Sequence, residues 1–554
     1  MPELTIPLIG QPTQRNLNAA SSLSSGKDQR LIGVMLTSVS DGLGKRMSVY
    51  AQKRAGFELV STPAAGSAGY AISDDGVVTG YGSTSAIYYN AISVGALPSG
   101  TSLQSIRLLR IGTENYYLIN SSVSANPAFY LPNNIAAAGS SATFTADTTS
   151  GSPTLTVVSS FTGLYVGQAL SGTGIPATAR IQSMNASAST ITMGSDSATP
   201  TNATATNSTV TITRSTIARV MSANLGTGGS VGTLTGHFVE LVGRLFIMTT
   251  TGRIYQSDIN DINTWGATDY ITCNLRVDVG VTLARVGEII YGICGIHTES
   301  FVNAGNAFGS ILTRLPQSFD IGSSSFIGGV PPVETFSDKV FILGQNVSNP
   351  FNAGVYVLNK DGISKLSTQV IDNIINVPTS LTAIGAVAIN GTIYCHVTQA
   401  NGNYDYLYDV ENKVWLESGW PTYILISNNG LAISGVATAG KKFRLDAATP
   451  SYQDDSAAFT MTIQTQPYYL NDGDPFFIDE ITLVADTQAS GSSALTTSAN
   501  DYTSFETIGS FDLTVQQKTL PAGGYYDSHV IFKITDSGNQ AWRGQALKIK
   551  WRPA

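Results

Sequence analysis

A hairpin unit that recurs through the second half of the chain is the feature that most restricts its fold. Each unit has an apolar strand, a tight polar turn, a second apolar strand, and then a glycine-containing turn and a third strand. The four hairpins span residues 238–248, 282–291, 333–343 and 386–395, with turns at Gly243, Gly287, Asp338 and Gly391. The turns are 44, 51 and 53 residues apart, and four-stranded propeller blades repeat at about 40–50 residues. The spacing favours a β-propeller, with β-meanders in another arrangement as the alternative.

Short strands separated by turn residues also dominate the rest of the chain. Residues 107–111 and 116–119 are two such strands, and they flank a turn at 112–115. Asn390-Gly391 is typical of a type I′ turn, because both residues adopt positive φ angles at little cost. Residues 368–375 are a modest helix candidate. The sequence therefore predicts an all-β protein with a β-propeller-like body.

A segment with almost no charge interrupts the first part of the chain. Between Asn133 and Thr213 the only charged residues are Asp147, Arg180 and Asp196. Such a composition also occurs in disordered linkers. However, strand patterns alternate with glycine turns at residues 154–158, 179–184, 190–193 and 209–212. We interpret residues 133–215 as a small β-sandwich inserted into the larger domain.

The predicted division of the chain has four parts. Residues 1–132 are the N-terminal part of the propeller-like body, 133–215 the inserted module, and 216–459 the main body. Residues 460–554 form a C-terminal β region with strands at 476–485, 511–516, 529–535 and 545–551. The sequence leaves open whether this region closes the propeller or forms a separate β-sandwich.

Charge is scarce in this chain, which points to a component of a large assembly. Charged residues make up 12% of the sequence, with a net charge of -8, against roughly 25% in an average globular protein. A soluble surface with so few charges needs hydroxyls, amides and partner subunits to cover it. Residues 1–15 lack a signal-peptide pattern, and no apolar run approaches the ~18 residues of a membrane span. We therefore expect no stable membrane insertion.

The residues that usually bind metals show no suitable spacing. Cys273, Cys294 and Cys395 form no C-x-x-C pair, so we expect reduced thiols made in a reducing cytoplasm. The histidines are His237, His297, His396 and His529, and none belongs to a metal-binding motif. Cys395 and His396 are strand neighbours that point to opposite faces. Asp-containing turns at 257–261, 454–455 and 472–474 do not match a calcium loop and are interpreted as Asx-turns.

Enzyme motifs are equally weak. Residues 498–505 are similar to the Asp-box turn of sialidase-like propellers, but that turn is structural, and the arginines that a sialidase site needs are scattered here. Gly228-Gly229-Ser230-Val231-Gly232 matches Gly-x-Ser-x-Gly, but it lies in a glycine-rich loop without a nucleophile elbow. We expect no catalytic, cofactor-binding or metal-binding residues and no cofactor. The densest basic cluster, Lys45-Arg46 with Lys53-Arg54, is either a solvated face or a contact to DNA or an acidic partner.

Two groups of motifs resemble phage structural proteins. The first comprises Pro7-Leu8, Arg15-Asn16-Leu17-Asn18, residues 33–36 and 47–57, and residues 252–258 leading through 261–264 to Trp265. This order resembles the packaged-DNA stabilisation protein, or tail hub (nozzle), of short-tailed bacteriophages. The second group comprises residues 154–158, Gly167, residues 172–176 and residues 190–193. It resembles a Gly-x-Gly-Ile-Pro β-module that recurs as an insertion in phage structural proteins.

The first resemblance implies a structural virion protein of the phage tail, made in the host cytoplasm. In that family six subunits form a ring around a channel for double-stranded DNA, which passes without sequence-specific binding. The ring joins the portal-adaptor proteins to a tail plug or needle, with tailspikes or fibres docked outside. It retains packaged DNA until ejection. The alternatives are another virion binding component (a fibre, adhesin or decoration protein) and a tail-associated glycan hydrolase.

Overall fold

The computed structural model of the 554-residue chain describes residues 2–9, 30–40, 47–82, 86–98, 103–121, 128–133, 142–195, 199–222, 225, 233–323, 332–346, 349–375, 382–399, 405–420, 424–435, 440–445, 451–500 and 502–554. Strands dominate these residues. They form a β-propeller, a module inserted into its second blade, and a β-sandwich beside its sixth blade. The predicted all-β class is confirmed.

The chain begins with strands that lie outside the first blade. These are β1 (Glu3–Pro7), β2 (Arg30–Ile32), β3 (Val34–Ser40), β4 (Met47–Lys53) and β5 (Glu58–Ser61). Blade 1 follows as β6 (Gly69–Ile72), β7 (Val78–Tyr81), β8 (Ala86–Tyr89) and β9 (Ile92–Ala96). Blade 2 starts with β10 (Leu103–Ile111), β11 (Glu114–Ser121) and β12 (Ala128–Pro132).

The inserted module separates the third and fourth strands of blade 2. Its strands are β13 (Thr143–Thr148), β14 (Thr154–Leu155), β15 (Gln168–Ser171), β16 (Arg180–Asn185) and β17 (Thr190–Gly194). The long strand β18 (Asn207–Arg219) then serves both units. Its first half pairs with β13, and its last residues pair with β12. The module has its own apolar core, which includes Leu155, Ile181 and Ile191, as expected of an inserted domain.

Blades 3 to 5 are consecutive in the chain. Blade 3 is β19 (Leu234–Leu241), β20 (Arg244–Thr249), β21 (Arg253–Ser257) and β22 (Trp265–Thr272). Blade 4 is β23 (Gly280–Val286), β24 (Ile289–Cys294), β25 (Thr298–Asn303) and β26 (Leu312–Phe319). Blade 5 is β27 (Gly322–Ser323), β28 (Val333–Phe336), β29 (Lys339–Asn346), β30 (Asn349–Asn359) and β31 (Gly362–Lys365). Helix α1 (Gln369–Ile375) follows, which confirms the predicted helix.

The last two blades complete the propeller. Blade 6 is β32 (Thr382–Ile389), β33 (Thr392–Gln399), β34 (Asp405–Asp409) and β35 (Val414–Glu417). Blade 7 has β36 (Ile424–Ile426), β37 (Leu431–Ser434) and β38 (Lys442–Arg444), and the early strand β5 pairs with β38 as its outermost strand. The innermost strands contact one another in the order β6, β10, β19, β23, β28, β32, β36 and back to β6. The described residues thus form a closed ring of seven blades.

The four turns identified in the sequence occupy equivalent places in this ring. Gly243, Gly287 and Gly391 each lie in the turn between the first and second strands of blades 3, 4 and 6, and Asp338 lies in the corresponding turn of blade 5, between β28 and β29. Asn390 and Gly391 have φ angles of 51° and 81°, as a type I′ turn requires. The predicted propeller is confirmed.

Both ends of the chain build the sandwich. After the hairpin β39 (Gln453–Asp454) and β40 (Ala457–Ala458), its strands are β41 (Met461–Gln464), β42 (Phe476–Ala485), β43 (Ser492–Ser498), β44 (Glu506–Asp512), β45 (Lys518–Tyr526), β46 (Ile531–Asp536) and β47 (Arg543–Pro553), with a 3₁₀ turn at Asn471–Gly473. One sheet has the order β3-β4-β47-β42-β45, with β1 on β47; the other has β2-β41-β46-β43-β44.

The N-terminal strands therefore lie elsewhere than the predicted division placed them. We assigned residues 1–132 to the propeller body, but β1 to β4 pair within the sandwich, and only β5 and later strands join the ring. The reason is edge pairing, because β47 and β41 gain their missing neighbours from the N-terminal strands. The C-terminal region flanks the ring, and β5 closes it. Strand β2 also pairs with β35, so the blade 6 sheet continues into the sandwich.

Gly167 fixes the inserted module against blade 2, and its replacement provides a first prediction. Its φ angle is +87°, and a Cβ there would lie 1.8 Å from the carbonyl oxygen of Arg219. Gly167→Ala should therefore lower the free energy of unfolding by about 2–3 kcal/mol, because the steric clash adds to the cost of a positive φ angle for alanine.

Gly151 in the same module is the matched control. It has a φ of +81° but nothing within 4 Å of the added Cβ, so Gly151→Ala should cost only about 1 kcal/mol. Chemical denaturation of the two variants measures the difference. Equal losses would contradict the assigned contact.

Candidate functional site

A buried ion cluster crosses the propeller axis. Arg107 on β10 hydrogen-bonds to Asp74, in the first turn of blade 1, and to Glu334 on β28 at 2.7 Å. Blades 2 and 5 are thus joined across the ring by one guanidinium. The Arg107 side chain is 6% exposed. A charge this deeply buried is tolerated only with its partners in place.

The cluster contains two carboxyl groups and only one guanidinium, and the shifts of their pKa values reflect this excess of acid. Burial raises the pKa of Asp74 and of Glu334, and the attraction of Arg107 opposes that rise only partly. Burial also acts to lower the pKa of Arg107, but the two acids outweigh it and hold the guanidinium charged. His237 donates a hydrogen bond from Nε2 to the Val333 carbonyl, 3.1 Å away, and burial keeps its pKa well below the usual value. This histidine is therefore neutral.

Little free space remains around the cluster. Side chains and backbone around the axis leave a cavity of about 30 Å³, which has room for about one or two water molecules. Its lining includes Arg107, His237, Glu334, His396 and Thr398. Among the described residues, Arg107 and its two acids therefore block the propeller axis at the level of this cluster. A substrate of several heavy atoms does not fit there.

A second buried polar centre joins the propeller to the sandwich. Arg54 binds both carboxylate oxygens of Asp454, at 2.8 and 2.5 Å, and donates to the carbonyl of Ser418 at the end of blade 6. Lys53 pairs with Asp536 at 3.0 Å. Both basic side chains are almost fully buried. For Lys53 and Arg54, both interpretations of the basic cluster are therefore wrong: these residues neither form a solvated face nor are free to contact DNA or a partner. Lys45 and Arg46 lie outside the described residues.

The outer face of the first sandwich sheet has exposed aromatic and charged side chains; we call this surface the sandwich face. The Phe477 ring lies 5.3 Å from that of Tyr525, and the Arg552 guanidinium stacks 4.8 Å from Phe477. Further along, Lys550 pairs with Glu480 at 2.7 Å. A groove of about 320 Å³ continues between these strands; its lining is Glu3, Glu480, Thr482, Leu483, Val484, Ala485, Gln516, Gln517, Lys548 and Lys550. Aromatic and arginine side chains of this kind are typical of protein interfaces.

The other residues considered in the sequence take structural positions. His396 binds Asp405 at 2.5 Å, whereas Cys395 faces an apolar cluster on the other side of the strand. Residues 498–505 lie in the sandwich, not the propeller, where Asn500 closes a local turn with Ser504; Asp501 is outside the described residues. Also outside are Arg15-Asn16-Leu17-Asn18 and residues 228–232. The described residues contain no group of three His, Cys, Asp or Glu side chains placed to hold a metal ion.

Sequence reasoning missed the axial cluster entirely. Arg107 and Glu334 are 227 residues apart, and each occurs in an ordinary strand pattern. The available signal was a charged residue in the first strand of a hairpin unit, but Glu240 and Arg285 also occupy such strands and pair with each other outside the cluster. Glu334 carries that signal within the unit at 333–343.

Comparisons with known proteins identify no family. No family model matches, and no curated protein matches. Similar solved structures include the exo-β-1,3-galactanase of Phanerochaete chrysosporium, at 8% identity over 80% of this chain and 95% of that chain, with a TM-score of 0.27. A propeller domain of Myceliophteria thermophila has 11% identity over 68% and 96%, with a TM-score of 0.26. The computationally designed Ika8 protein has 10% identity over 70% and 100%, with a TM-score of 0.33. Similarity at this level carries no argument about function.

The structure also bears on membrane insertion through helices. Among the residues it describes, no helix has the length and apolar character needed to cross a bilayer.

Proposed function

We propose that this chain is a structural subunit of a short-tailed phage tail, which forms the hub or nozzle ring below the portal-adaptor. In this role it is a building block rather than an enzyme. The observation that carries the proposal is the sealed propeller fused to a sandwich. The Arg107 cluster closes the axis, and the β35–β2 pairing extends the blade 6 sheet into the sandwich.

A subunit of a pressurised conduit has to keep its shape under load, and the buried contacts supply rigidity. The core around the junction contains side chains from both units, among them Leu416 and Trp420 from the propeller and Ile463 from the sandwich. Arg54 adds hydrogen bonds to both sides of the same junction. Together these contacts favour one rigid body over two hinged domains.

The closed axis determines where DNA would pass in such a ring. A duplex does not fit through the propeller itself, so the conduit lies on the symmetry axis of the six-subunit ring. The net charge of -8 suits such a wall, because a basic lining would bind phosphates and retard the passing duplex.

The sandwich face is the surface we assign to contacts with the neighbouring subunit. Tyr525 and Arg552 are exposed, and Phe477 is half-buried beneath them. Truncation of aromatic and arginine side chains at the centre of an interface costs about 2 kcal/mol or more each. Alternating Lys and Glu residues in the groove provide complementary charges for a partner of mixed sign.

The oligomeric state tests the proposal. The purified full-length chain, alone or with portal-adaptor complex, should form closed sixfold rings in mass photometry and two-dimensional class averages. Arg552→Glu together with Tyr525→Ala should weaken ring formation at least tenfold in protein concentration. Arg276→Glu, which alters an exposed ion pair with Asp320 on the propeller, is the matched control and should form rings normally. A wild-type chain that remains monomeric in the presence of the portal-adaptor complex would contradict the proposal.

A host-glycan adhesin is the second candidate, because the same surface has features of a sugar-binding face. Exposed aromatic rings stack on sugar rings, and amides and carboxylates beside them bind hydroxyls. Gln516, Gln517 and Glu480 provide such groups in the groove. Binding of a monomeric or trimeric protein to host glycans, lost in Tyr525→Ala, would favour this candidate over the ring.

A further inference from the structure

Two cysteines from neighbouring blades meet at the seam between blades 3 and 4. Cys273 follows β22, the outermost strand of blade 3, and Cys294 ends β24, the second strand of blade 4. Both are buried in one apolar cluster. Each thiol has the largest single effect on the pKa of the other. The two side chains are therefore neighbours within this cluster.

Gly292 provides the space in which the two sulfurs meet. It is two residues before Cys294, so both lie on the same face of β24. A Cβ on Gly292 would be 2.4 Å from the Cys273 sulfur. The Cys273 side chain therefore fills the gap left by this glycine. Phe301 and Ile254 bound the gap on its other sides.

A buried polar network lies beside Cys294. His297 contacts the Cys294 thiol, and its ring nitrogens lie 3.2 Å from Asp278 and 3.0 Å from Glu299. The Cys273 thiol and then His297 stabilise the Cys294 thiolate, which lowers the pKa of Cys294 to about 7 despite its burial. The thiolate is the form of cysteine that attacks oxidants and disulfides.

We propose that Cys273 and Cys294 are an oxidative modification site, where hydrogen peroxide joins the two sulfurs in a disulfide that ties blade 3 to blade 4. The Cys294 thiolate attacks one peroxide oxygen, which gives a sulfenic acid and a hydroxide that takes up the proton the thiol has lost. The Cys273 thiol then attacks that sulfur, and water leaves. Two S–H bonds are replaced by one S–S bond, and the peroxide is reduced to two waters.

The modification matches a protein made under reducing conditions and later released from the cell. Cytoplasmic synthesis keeps thiols reduced, and the outside medium allows disulfides to persist. Blade 4 begins with the loop after Cys273, so the bond would fix the entry to this blade. The chemistry itself depends only on the thiol contact and not on the proposed tail role.

Thiol counting in the folded protein tests the site. After mild peroxide treatment, quenching, denaturation and alkylation, one thiol should react instead of three, and the unalkylated intact mass should fall by about 2 Da. A tryptic fragment should link the peptides of Cys273 and Cys294, and a reducing agent should release them. This mapping uses the wild-type chain, so it does not depend on the folding of a variant.

Cys395 provides the matched control. It is buried in blade 6, and burial alone raises its pKa. Cys395→Ser should keep the mass loss, whereas Cys273→Ser and Cys294→Ser should each abolish it. Three reactive thiols after treatment, a cross-link that includes Cys395, or a bond that forms equally well in urea would overturn the proposal.

Discussion

Replacement of Arg107 by methionine is expected to lower the free energy of unfolding by about 3–5 kcal/mol at neutral pH, because it leaves two buried carboxyl groups without their shared cation. Asp74 and Glu334 both depend on this one guanidinium. The loss should therefore exceed that of an ordinary surface ion pair, which is worth about 0–1 kcal/mol.

The pH dependence of that loss identifies its cause. The folded-state pKa values of Asp74 and Glu334 lie above their ordinary values, so their contribution to stability is fully present in acid and falls as pH rises through those values. Removal of Arg107 raises both pKa values further, since the guanidinium acts to lower them. The variant should thus be closest to the wild type near pH 4.5 and fall increasingly behind it toward pH 8.

Denaturant unfolding of the wild type and variant at several pH values measures this difference. Arg276→Met is the matched control, because Arg276 pairs with Asp320 at the surface; it should change stability by no more than about 0.5 kcal/mol. Addition of Glu334→Gln and Asp74→Asn to Arg107→Met should restore part of the stability. A loss independent of pH would show instead that Arg107 contributes mainly by packing.

The sequence could predict the parts of this fold that depend on local pattern. The turns at Gly243, Gly287 and Gly391 mark equivalent hairpins because a two-strand unit with a tight turn is encoded by neighbouring residues. Blades 1 and 7 have comparable glycine turns, at Gly76 and Gly430, but the strands on both sides of these turns are shorter. The strands of blade 7 are short, and its outermost strand, β5, is contributed from far earlier in the chain. Strand pairing at such distance leaves no periodic signal in either segment.

The buried charges could not be predicted for a related reason. Lys53-Arg54 has the composition of a solvated basic patch, and only the fold brings in partners such as Asp454, 400 residues away. The contact of Cys273 with Cys294 also depends on the packing of two blades. The sandwich face could be predicted in part. Alternation along β42 and β47 indicates which positions point outward, but the contact between Phe477 and Arg552 can be predicted only if the register of the two strands is known.

Replacement of Arg54 by methionine should have a similar cost, about 3–5 kcal/mol, because Asp454 would keep a buried charge without its bidentate partner. Its consequence should differ from that of the axial variant. Arg54 donates to the Ser418 carbonyl of blade 6 as well as to Asp454, so its loss weakens the junction between propeller and sandwich. The sandwich should then unfold at a lower denaturant concentration than the propeller, whereas we expect a single transition for the wild type.

Two probes distinguish unfolding of the sandwich from unfolding of the propeller. The first is the fluorescence of Trp542, which is buried in the sandwich; the other four tryptophans are replaced in every protein compared. The second is hydrogen exchange of the blade 3 strands. Arg54→Lys keeps the charge but lacks the planar fork that matches a carboxylate, so it should recover only part of the loss. Arg543→Met is the matched surface control, since Arg543 pairs with the exposed Asp486 on the same sandwich. If both probes still coincide in Arg54→Met, the continuous sheet through β2 and β35 is sufficient to couple the two units, and the buried arginine adds stability without being the joint.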